Sequence, residues 1–307
     1  MPFTVISGTF RLVGKSRGGN PTGFEPDGDS IQFKPNDPSL LDRLQRNGSS
    51  HRLTSIGSTQ LRFEGIDALE LHFSGSHQPR PLADQARDFL TGALDLNPVP
   101  YTPPANLRVK PPVDHDAASG HILSRSLEAH GRPVAFAYKG DPPRPDGSEV
   151  NVTATLLRKS LNFKLIAGGH AYPLYYDTLF ADLRATFTAA AVKARKASKG
   201  IWARDASSAG LALSDQAALE ADGVVFPKLF RRMTEYLGEH PAEPAGFLDW
   251  LADKREQVLD TTTNNFTHFD NVVAMKGTKV KLLRLPEQLV FVSAKTTSRA
   301  VAPWLTV

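Results

Sequence analysis

The chain has 307 residues, of which 40% are hydrophobic and 22% are charged, and its formal net charge at pH 7 is +4. This composition is typical of a globular protein with an ample core, and the mild positive charge favours an anionic partner without requiring one. Because the chain contains no cysteine, its composition excludes disulfides, zinc-thiolate sites and cysteine nucleophiles.

Alternating apolar residues predict strands in the first part of the chain. Residues 3–13 alternate in this way, and the turn at 27–30, with the sequence DGDS, leads into a second strand. Residues 35–58 are polar and are interpreted as an insertion that carries one short helical patch. The next predicted strand, at 59–66, contains a glycine at which we expect the backbone to bend.

The spacing of apolar residues changes to that of a helix over 82–94, directly after a proline suited to the first helical turn. Residues 96–118 are rich in proline and predict a surface excursion. A long amphipathic helix is predicted at 178–198, with Gly200 placed to end it and Trp202 folding back. Further strands are predicted at 121–127, 131–138 and 149–157.

The composition shifts at Ala203, where a linker of small residues begins. We therefore predict two domains, at 1–204 and 205–307, with insertions in the first at 35–58, 96–118 and 141–158. The second is interpreted as a smaller accessory α+β region, whose role and protein partner the sequence leaves open. Its predicted elements are helices at 226–238 and 244–259 and strands at 271–275, 279–285 and 288–294.

The N-terminal segment lacks the basic start, apolar core and small-residue cleavage site of a signal peptide. No stretch approaches the roughly 18 uninterrupted apolar residues of a membrane span. The expectation from these two observations is a cytoplasmic protein that does not use a membrane.

Three charged residues follow one another where the strand at 59–66 ends. Strand alternation places Arg62 on the face opposite its apolar neighbours, whereas Asp67 and Glu70 fall where the strand gives out. A guanidinium binds phosphate in forked fashion, and carboxylates are ligands for hard cations. The pattern therefore indicates a site for a phosphate and a divalent cation.

Five short motifs occur in a fixed order along residues 3–204. They are DGDS (27–30), LRFEGIDALE (61–70), EAHGR (128–132), SLNFKLIAGGHA (160–171) and GIW (200–202). In order and spacing they resemble the staphylococcal (thermonuclease-like) nuclease family, whose motifs are DGDT, R-x-x-x-x-D-x-P-E, D-x-Y-G-R, V-N-x-x-L-V-x-x-G-x-A and G-(L/I)-W. The sequence departs from the family at Ser30, Leu69 and His130, where the family has Thr, Pro and Tyr.

The resemblance implies an α+β fold with a five-stranded OB-fold β-barrel and flanking helices. It also implies a calcium-dependent nuclease that hydrolyses phosphodiester bonds of DNA, preferably single-stranded, with RNA as a second candidate substrate. The residues that it implies are Asp29 and Asp67 as calcium ligands, Arg62 and Arg132 as phosphate ligands, Glu70 as the group that orients or deprotonates the attacking water, and Tyr175 as a substrate contact.

Several charged or aromatic residues have a simpler interpretation than a functional one. Asp27 is either a site residue or a turn former, and Tyr175 is either a substrate contact or a packing residue. The cluster 114–116 is better interpreted as solvated than as a second metal site, and the basic run 193–199 as the exposed face of a helix. The alternative function is a catalytically silent nucleic-acid-binding or scaffold module on the same barrel.

Overall fold

The computed structural model describes residues 2–46, 48–241 and 243–293. Within these ranges the chain is mixed α+β, with a nearly closed, barrel-shaped sheet and several flanking helices. The strands are β1 (Phe3–Arg11), β2 (Val13–Lys15), β3 (Pro21–Gly23), β4 (Gln32–Pro35), β5 (Gln45–Arg46), β6 (Thr59–Gln60), β7 (Arg62–Phe63), β8 (Ile66–Ala68), β9 (Ala117–Leu127), β10 (Pro133–Lys139), β11 (Glu149–Val150), β12 (Ala171–Pro173), β13 (Tyr175–Tyr176), β14 (Leu211–Ala212), β15 (Gln257–Asp260), β16 (Asn265–His268), β17 (Val273–Lys276), β18 (Lys279–Leu282) and β19 (Leu289–Phe291). The α-helices are α1 (Arg80–Ala93), α2 (Ala154–Leu157), α3 (Leu161–Gly168), α4 (Ala181–Lys196), α5 (Gln216–Asp222), α6 (Pro227–Glu239) and α7 (Phe247–Asp253).

The barrel-shaped sheet has the strand order β6-β4-β1-β9-β10-β7, and β11 and β5 pair with β1 and β9 outside this path. The central strand β1 is antiparallel to both of its main partners, β4 and β9. The two end strands, β6 and β7, are separated in the chain by Leu61 alone, so the ends of the path meet at this residue.

The alternation predicted at 3–13 is confirmed by β1. Its side chains Phe3, Val5 and Phe10 are at most 1% exposed. Phe10 packs on Phe33 of β4, with ring centroids 5.2 Å apart. Large apolar side chains of this kind contribute most of the free energy that stabilises a core.

The strand predicted at 59–66 is divided into three short strands, β6, β7 and β8. The division at Gly65 has a steric cause, because its φ is +79° and a Cβ there would lie 2.6 Å from the ring of Phe187 in α4. Only glycine adopts this turn so close to the helix without strain. The chain therefore leaves the barrel sheet at this point, and β8 pairs with β12 instead.

A buried amide side chain connects α3 to the strands below it. Asn162 accepts a hydrogen bond from Ala137 N at 3.0 Å and donates to Glu64 O at 2.9 Å and to Ala135 O at 3.0 Å. These bonds fix the backbone immediately before the bend at Gly65. The segment that carries β8 is consequently held in place from the helix side.

The C-terminal region packs directly against the first part of the chain. Strand β19 runs parallel to β13, and Gln78 donates from Nε2 to Gly223 O at 2.6 Å and to Val225 O at 2.8 Å. Arg195 of α4 also donates to Glu287 at 3.1 Å. The domain boundary at 204 stays a prediction, but strands and hydrogen bonds connect the residues on its two sides.

Two predicted elements differ from the structure. The strand predicted at 149–157 is β11 for its first two residues only, and α2 follows because the Thr153 hydroxyl caps it by accepting from Leu156 N at 3.3 Å. The helix predicted at 244–259 is α7 over Phe247–Asp253 only. It ends because Arg255 adopts a φ of +48°, and the next residues form β15.

The remaining predicted elements are present with shifted ends. The helices predicted at 82–94, 178–198 and 226–238 are α1, α4 and α6, and the helical patch in 35–58 is a 3-10 helix at Pro38–Arg43. The predicted strand 288–294 is β19, and its residue 294 lies outside the described residues. No helix in the described part of the chain is long and apolar enough to cross a membrane.

The bonds of Asn162 generate the first testable prediction. Asn162→Ala leaves the carbonyl of Glu64 and the amide of Ala137 without this buried partner, so we expect a loss of about 2–4 kcal/mol in the free energy of unfolding. Denaturant titration measures it, with the exposed Asn20→Ala as the matched control. A loss below about 0.5 kcal/mol, equal to that of the control, contradicts the prediction.

Candidate functional site

The turn at 27–30 places two carboxylates beside β8. Asp27 accepts a hydrogen bond from Gly28 N at 2.7 Å, and Asp29 accepts one through Oδ2 from Ala68 N at 3.2 Å. A Cβ at Gly28 would lie 2.6 Å from Ala68 Cβ and 2.8 Å from Ala86 Cβ in α1. The turn can therefore approach β8 this closely because its second residue is glycine.

Two further carboxylates come from β8 and the residues that follow it. Asp67 lies in β8 opposite Tyr172 of β12 and is 3% exposed. Glu70 is fixed through its backbone, since its N donates to Gln78 Oε1 at 3.1 Å and its O accepts from Gln78 N at 2.8 Å. Strand pairing and backbone bonds thus position both side chains.

The guanidinium of Arg62 projects from β7 beside an aromatic ring. Its Cζ lies 5.5 Å from the ring centroid of Tyr176, within the range of a cation–π contact. Burial disfavours the charge of Arg62, but the nearby Tyr176 and Asp67 outweigh burial and raise the pKa of the guanidinium. Burial likewise opposes ionisation of Tyr176, yet Lys228 and Arg62 lower the pKa of its phenol overall.

Arg132 is held by a carboxylate on the turn between β9 and β10. Its Nε donates to Glu128 Oε1 at 3.3 Å, and its backbone N donates to the same oxygen at 3.1 Å. Arg132 lines a cleft of about 720 Å³. Five of the predicted site residues line this one cleft, namely Asp29, Arg62, Asp67, Glu70 and Arg132.

Tyr175, the predicted substrate contact, lies outside the residues that line this cleft. It is 1% exposed, and its hydroxyl bonds to Arg184 O at 3.1 Å and to Thr188 Oγ1 at 2.9 Å. This position corresponds to the packing alternative. The next residue, Tyr176, lines the cleft instead, because successive side chains in a strand point to opposite faces.

Arg231 of α6 is a site residue that the sequence did not reveal. It donates from Nη1 to Asp67 Oδ1 at 3.1 Å and from Nη2 to Asp67 Oδ2 at 2.8 Å, and it also donates to Glu70. The two carboxylates raise the pKa of Arg231 well above its ordinary value despite burial. The sequence has two adjacent arginines in this helix, but no local spacing connects either of them to acids about 160 residues earlier.

Burial and mutual repulsion make three of the acids unusually weak. Burial raises the pKa of Asp27 to about 7, with a further contribution from Asp29. Burial also raises the pKa of Asp29 to about 7, with contributions from Asp67 and Glu70. The pKa of Glu70 is raised to about 7 by burial and by the other acids, although Arg231 opposes the rise.

The chemistry of these donors suits a hard cation. Among the described residues, no three or more His, Asp or Glu side chains lie together in a group that could hold a metal ion. Asp29 and Asp67 nevertheless both line the cleft, and burial together with the nearby Asp67 raises the pKa of Asp29. Calcium accepts six to eight oxygens in flexible geometry, so the two carboxylates, completed by water, suit it.

A comparison of the chain with protein-family models finds no match, and a search of curated proteins finds none either. The family resemblance therefore rests on the five motifs alone.

The raised pKa of Asp29 predicts how pH changes stability in a chelator. A carboxyl whose pKa rises from 3.8 to about 7 on folding stabilises the protein most below pH 4, and this stabilisation is lost as the pH rises through 7. We expect Asp29→Asn to raise the Tm at pH 8 by at least about 2 °C, because it removes the buried charge.

Thermal unfolding at pH 8 and pH 4.5 in chelator measures this effect, with the exposed Asp114→Asn as the control. The advantage of Asp29→Asn should shrink at pH 4.5, where Asp29 is protonated in the folded wild type. An advantage that is absent at pH 8, or larger at pH 4.5, would show that the charge of Asp29 does not destabilise the fold.

Proposed function

We propose that the chain is a calcium-dependent nuclease that hydrolyses phosphodiester bonds of DNA, preferably single-stranded, and that RNA is a second substrate. We further propose that its barrel is a five-stranded OB-fold related to that of the staphylococcal nuclease family. The observation that carries this proposal is that five motif side chains, spread from Asp29 to Arg132, line one cleft.

The two arginines of the cleft suit a phosphate. Uncatalysed phosphodiester hydrolysis is extremely slow, and negative charge develops on the non-bridging oxygens in the transition state. Arg62, from β7, and Arg132, from the turn before β10, would bind these oxygens in forked fashion, which lysine cannot do. Contacts that strengthen as charge develops accelerate the reaction.

The carboxylates divide into two roles. Asp29 and Asp67 would hold calcium, which when bound supplies positive charge beside the scissile phosphate. Glu70 would orient the attacking water or take its proton. A pKa of about 7 suits this role, because a general base works best when its pKa is near the working pH.

Aromatic side chains in the cleft favour single-stranded substrates. Phe24, Phe73 and Tyr176 line the cleft together with the phosphate-binding arginines. Unpaired bases stack on aromatic rings whatever their sequence, whereas bases inside a duplex are not accessible to them. The cleft therefore suits a nucleic acid whose bases are free to turn outward.

The proposal is tested with single-stranded DNA in calcium and in chelator. We expect wild type to cleave only with calcium and Glu70→Gln to lose at least about a hundredfold in kcat, as when a general base is removed. Glu149→Gln, an exposed substitution in β11, is the matched control. Equal cleavage by wild type and Glu70→Gln would assign the activity to a different site or to contamination.

The second candidate function is a catalytically silent nucleic-acid-binding module. Arg231 favours it, because this residue hydrogen-bonds to both Asp67 and Glu70, which the nuclease needs for calcium and water. The module would retain the arginines and aromatic rings for binding. Binding of single-stranded DNA without cleavage, in calcium as in chelator, is its expected behaviour.

Both candidates predict that the ring of Tyr176 contributes to binding. Tyr176→Ala should weaken the binding of single-stranded DNA about 5- to 150-fold, since a stacked base contributes about 1–3 kcal/mol. Tyr176→Phe keeps the ring and should bind within about threefold of wild type. Fluorescence anisotropy in chelator measures both, and a Phe variant as weak as the Ala variant would assign the contribution to the hydroxyl.

A further inference from the structure

The acidic end of the cleft is in contact with a side chain from the C-terminal region. Arg231 bonds to both oxygens of Asp67, at 3.1 and 2.8 Å, and to Oε1 of Glu70. The contact with Asp67 is forked, the geometry in which a guanidinium binds a carboxylate most strongly. These are the side chains that the proposed function assigns to calcium and to the attacking water.

We propose that Arg231 is a built-in competitor of calcium, and that the nuclease site becomes active only when calcium displaces it from Asp67 and Glu70. This inference rests on the proposed function, which supplies the roles of the two acids. The fork of Arg231 occupies both oxygens of Asp67, and a divalent cation bound to the same oxygens would repel the guanidinium at contact distance. Calcium binding and the Arg231 contact therefore compete for the same carboxylate oxygens.

Helix α6 is anchored so that Arg231 faces the acids. Its side chains Leu229, Phe230 and Met233 are 0% exposed and join the hydrophobic core. The segment before α6 is fixed as well, since Gln78 donates to the carbonyls of Gly223 and Val225. Arg231 thus projects from a helix that is packed into the core, and its backbone is fixed beside the acids.

Gln78 also connects the segment before α6 to Glu70. Its side-chain oxygen accepts from Glu70 N at 3.1 Å, while its side-chain nitrogen donates to the segment that precedes α6. The backbone of Glu70 and the helix that carries Arg231 are therefore held at a fixed separation. Such an arrangement keeps the guanidinium close to the carboxylates whenever no cation is bound.

Neighbouring basic residues of α6 do not share this contact. Lys228 pairs with Glu256, and Arg232 donates to Glu256 at 3.2 Å and to Glu235 at 2.7 Å. Arg232 nevertheless lines the same cleft and carries the same charge as Arg231. It therefore provides a control that separates competition for the acids from a general effect of positive charge.

The competition has a measurable size. When only a fraction of the protein is competent to bind, the apparent Kd equals the intrinsic Kd divided by that fraction. The side chains of Arg231 and Asp67 are 20% and 5% exposed, so their ion pair is largely removed from water. We expect the ion pair to leave no more than about one tenth of the molecules competent to bind calcium. The apparent affinity for calcium is then weakened at least about tenfold.

The test is calorimetric titration of the metal-free full chain with calcium chloride, without nucleic acid. Arg231→Met should bind calcium at least about tenfold tighter than wild type, and Arg232→Met should stay within about threefold. Arg231→Lys keeps the charge but loses the fork, so its affinity should lie between those of wild type and Arg231→Met. If thermal unfolding shows that Arg231→Met does not fold, Arg231→Lys tests the proposal instead, and its calcium affinity should exceed that of wild type.

Three outcomes would overturn the proposal. If the Arg231 variants bind calcium no more tightly than wild type, Arg231 does not compete with calcium. If Arg232→Met gains as much affinity as Arg231→Met, the gain is a general effect of removing a positive charge. A lack of calcium binding in every variant overturns the competition and the calcium site together.

The cleavage assay separates this inference from the proposed function. Calcium-dependent cleavage by wild type, with no gain in affinity on Arg231→Met, retains the nuclease and rejects the competition. If Arg231→Met binds calcium more tightly but neither wild type nor any variant cleaves DNA, Arg231 competes with calcium and the nuclease proposal is wrong.

Discussion

The carboxylates of Asp27, Asp29, Asp67 and Glu70 line one cleft, where burial and mutual repulsion raise the pKa of three of them to about 7. Buried like charges are stable only when a positive charge or protons compensate them. The rest of the site is arranged around these acids. The bend at Gly65, the pairing of β8 with β12 and helix α6 of the C-terminal region all position residues beside them. Arg231 supplies the compensating charge for two of them.

Local sequence patterns were sufficient for the parts of the fold that depend on local periodicity. The alternation in β1 and the helical spacing in α1, α4 and α6 predicted those elements to within a few residues. Periodicity failed at 149–157, where β-branched residues resemble a strand but the Thr153 side chain starts a helix. It failed again after α7, where the left-handed conformation of Arg255 ends a pattern that reads as continuous.

The candidate site was predictable to the extent that its residues lie in short motifs. The local pattern at the end of the strand indicates Arg62, Asp67 and Glu70, and the resemblance of the motifs implies Asp29 and Arg132. All five side chains line the cleft. The assignment at 175 is one residue from Tyr176, which lines the cleft because side chains alternate along a strand. Arg231 was beyond such reasoning, since only the packing of the C-terminal region brings it to acids that are remote in sequence.

The pairing of β13 with β19 has a consequence for how the chain behaves if it is shortened. Tyr175 and Tyr176 pair in parallel with Val290 and Phe291, and Asp177 N donates to Phe291 O at 2.9 Å, so the C-terminal region covers this strand edge. Uncovered edges present unpaired N–H and C=O groups that recruit strands of other molecules. A chain cut at the predicted boundary would therefore expose the unpaired edge of β13 beside the cleft. Such a chain would tend to self-associate through this edge.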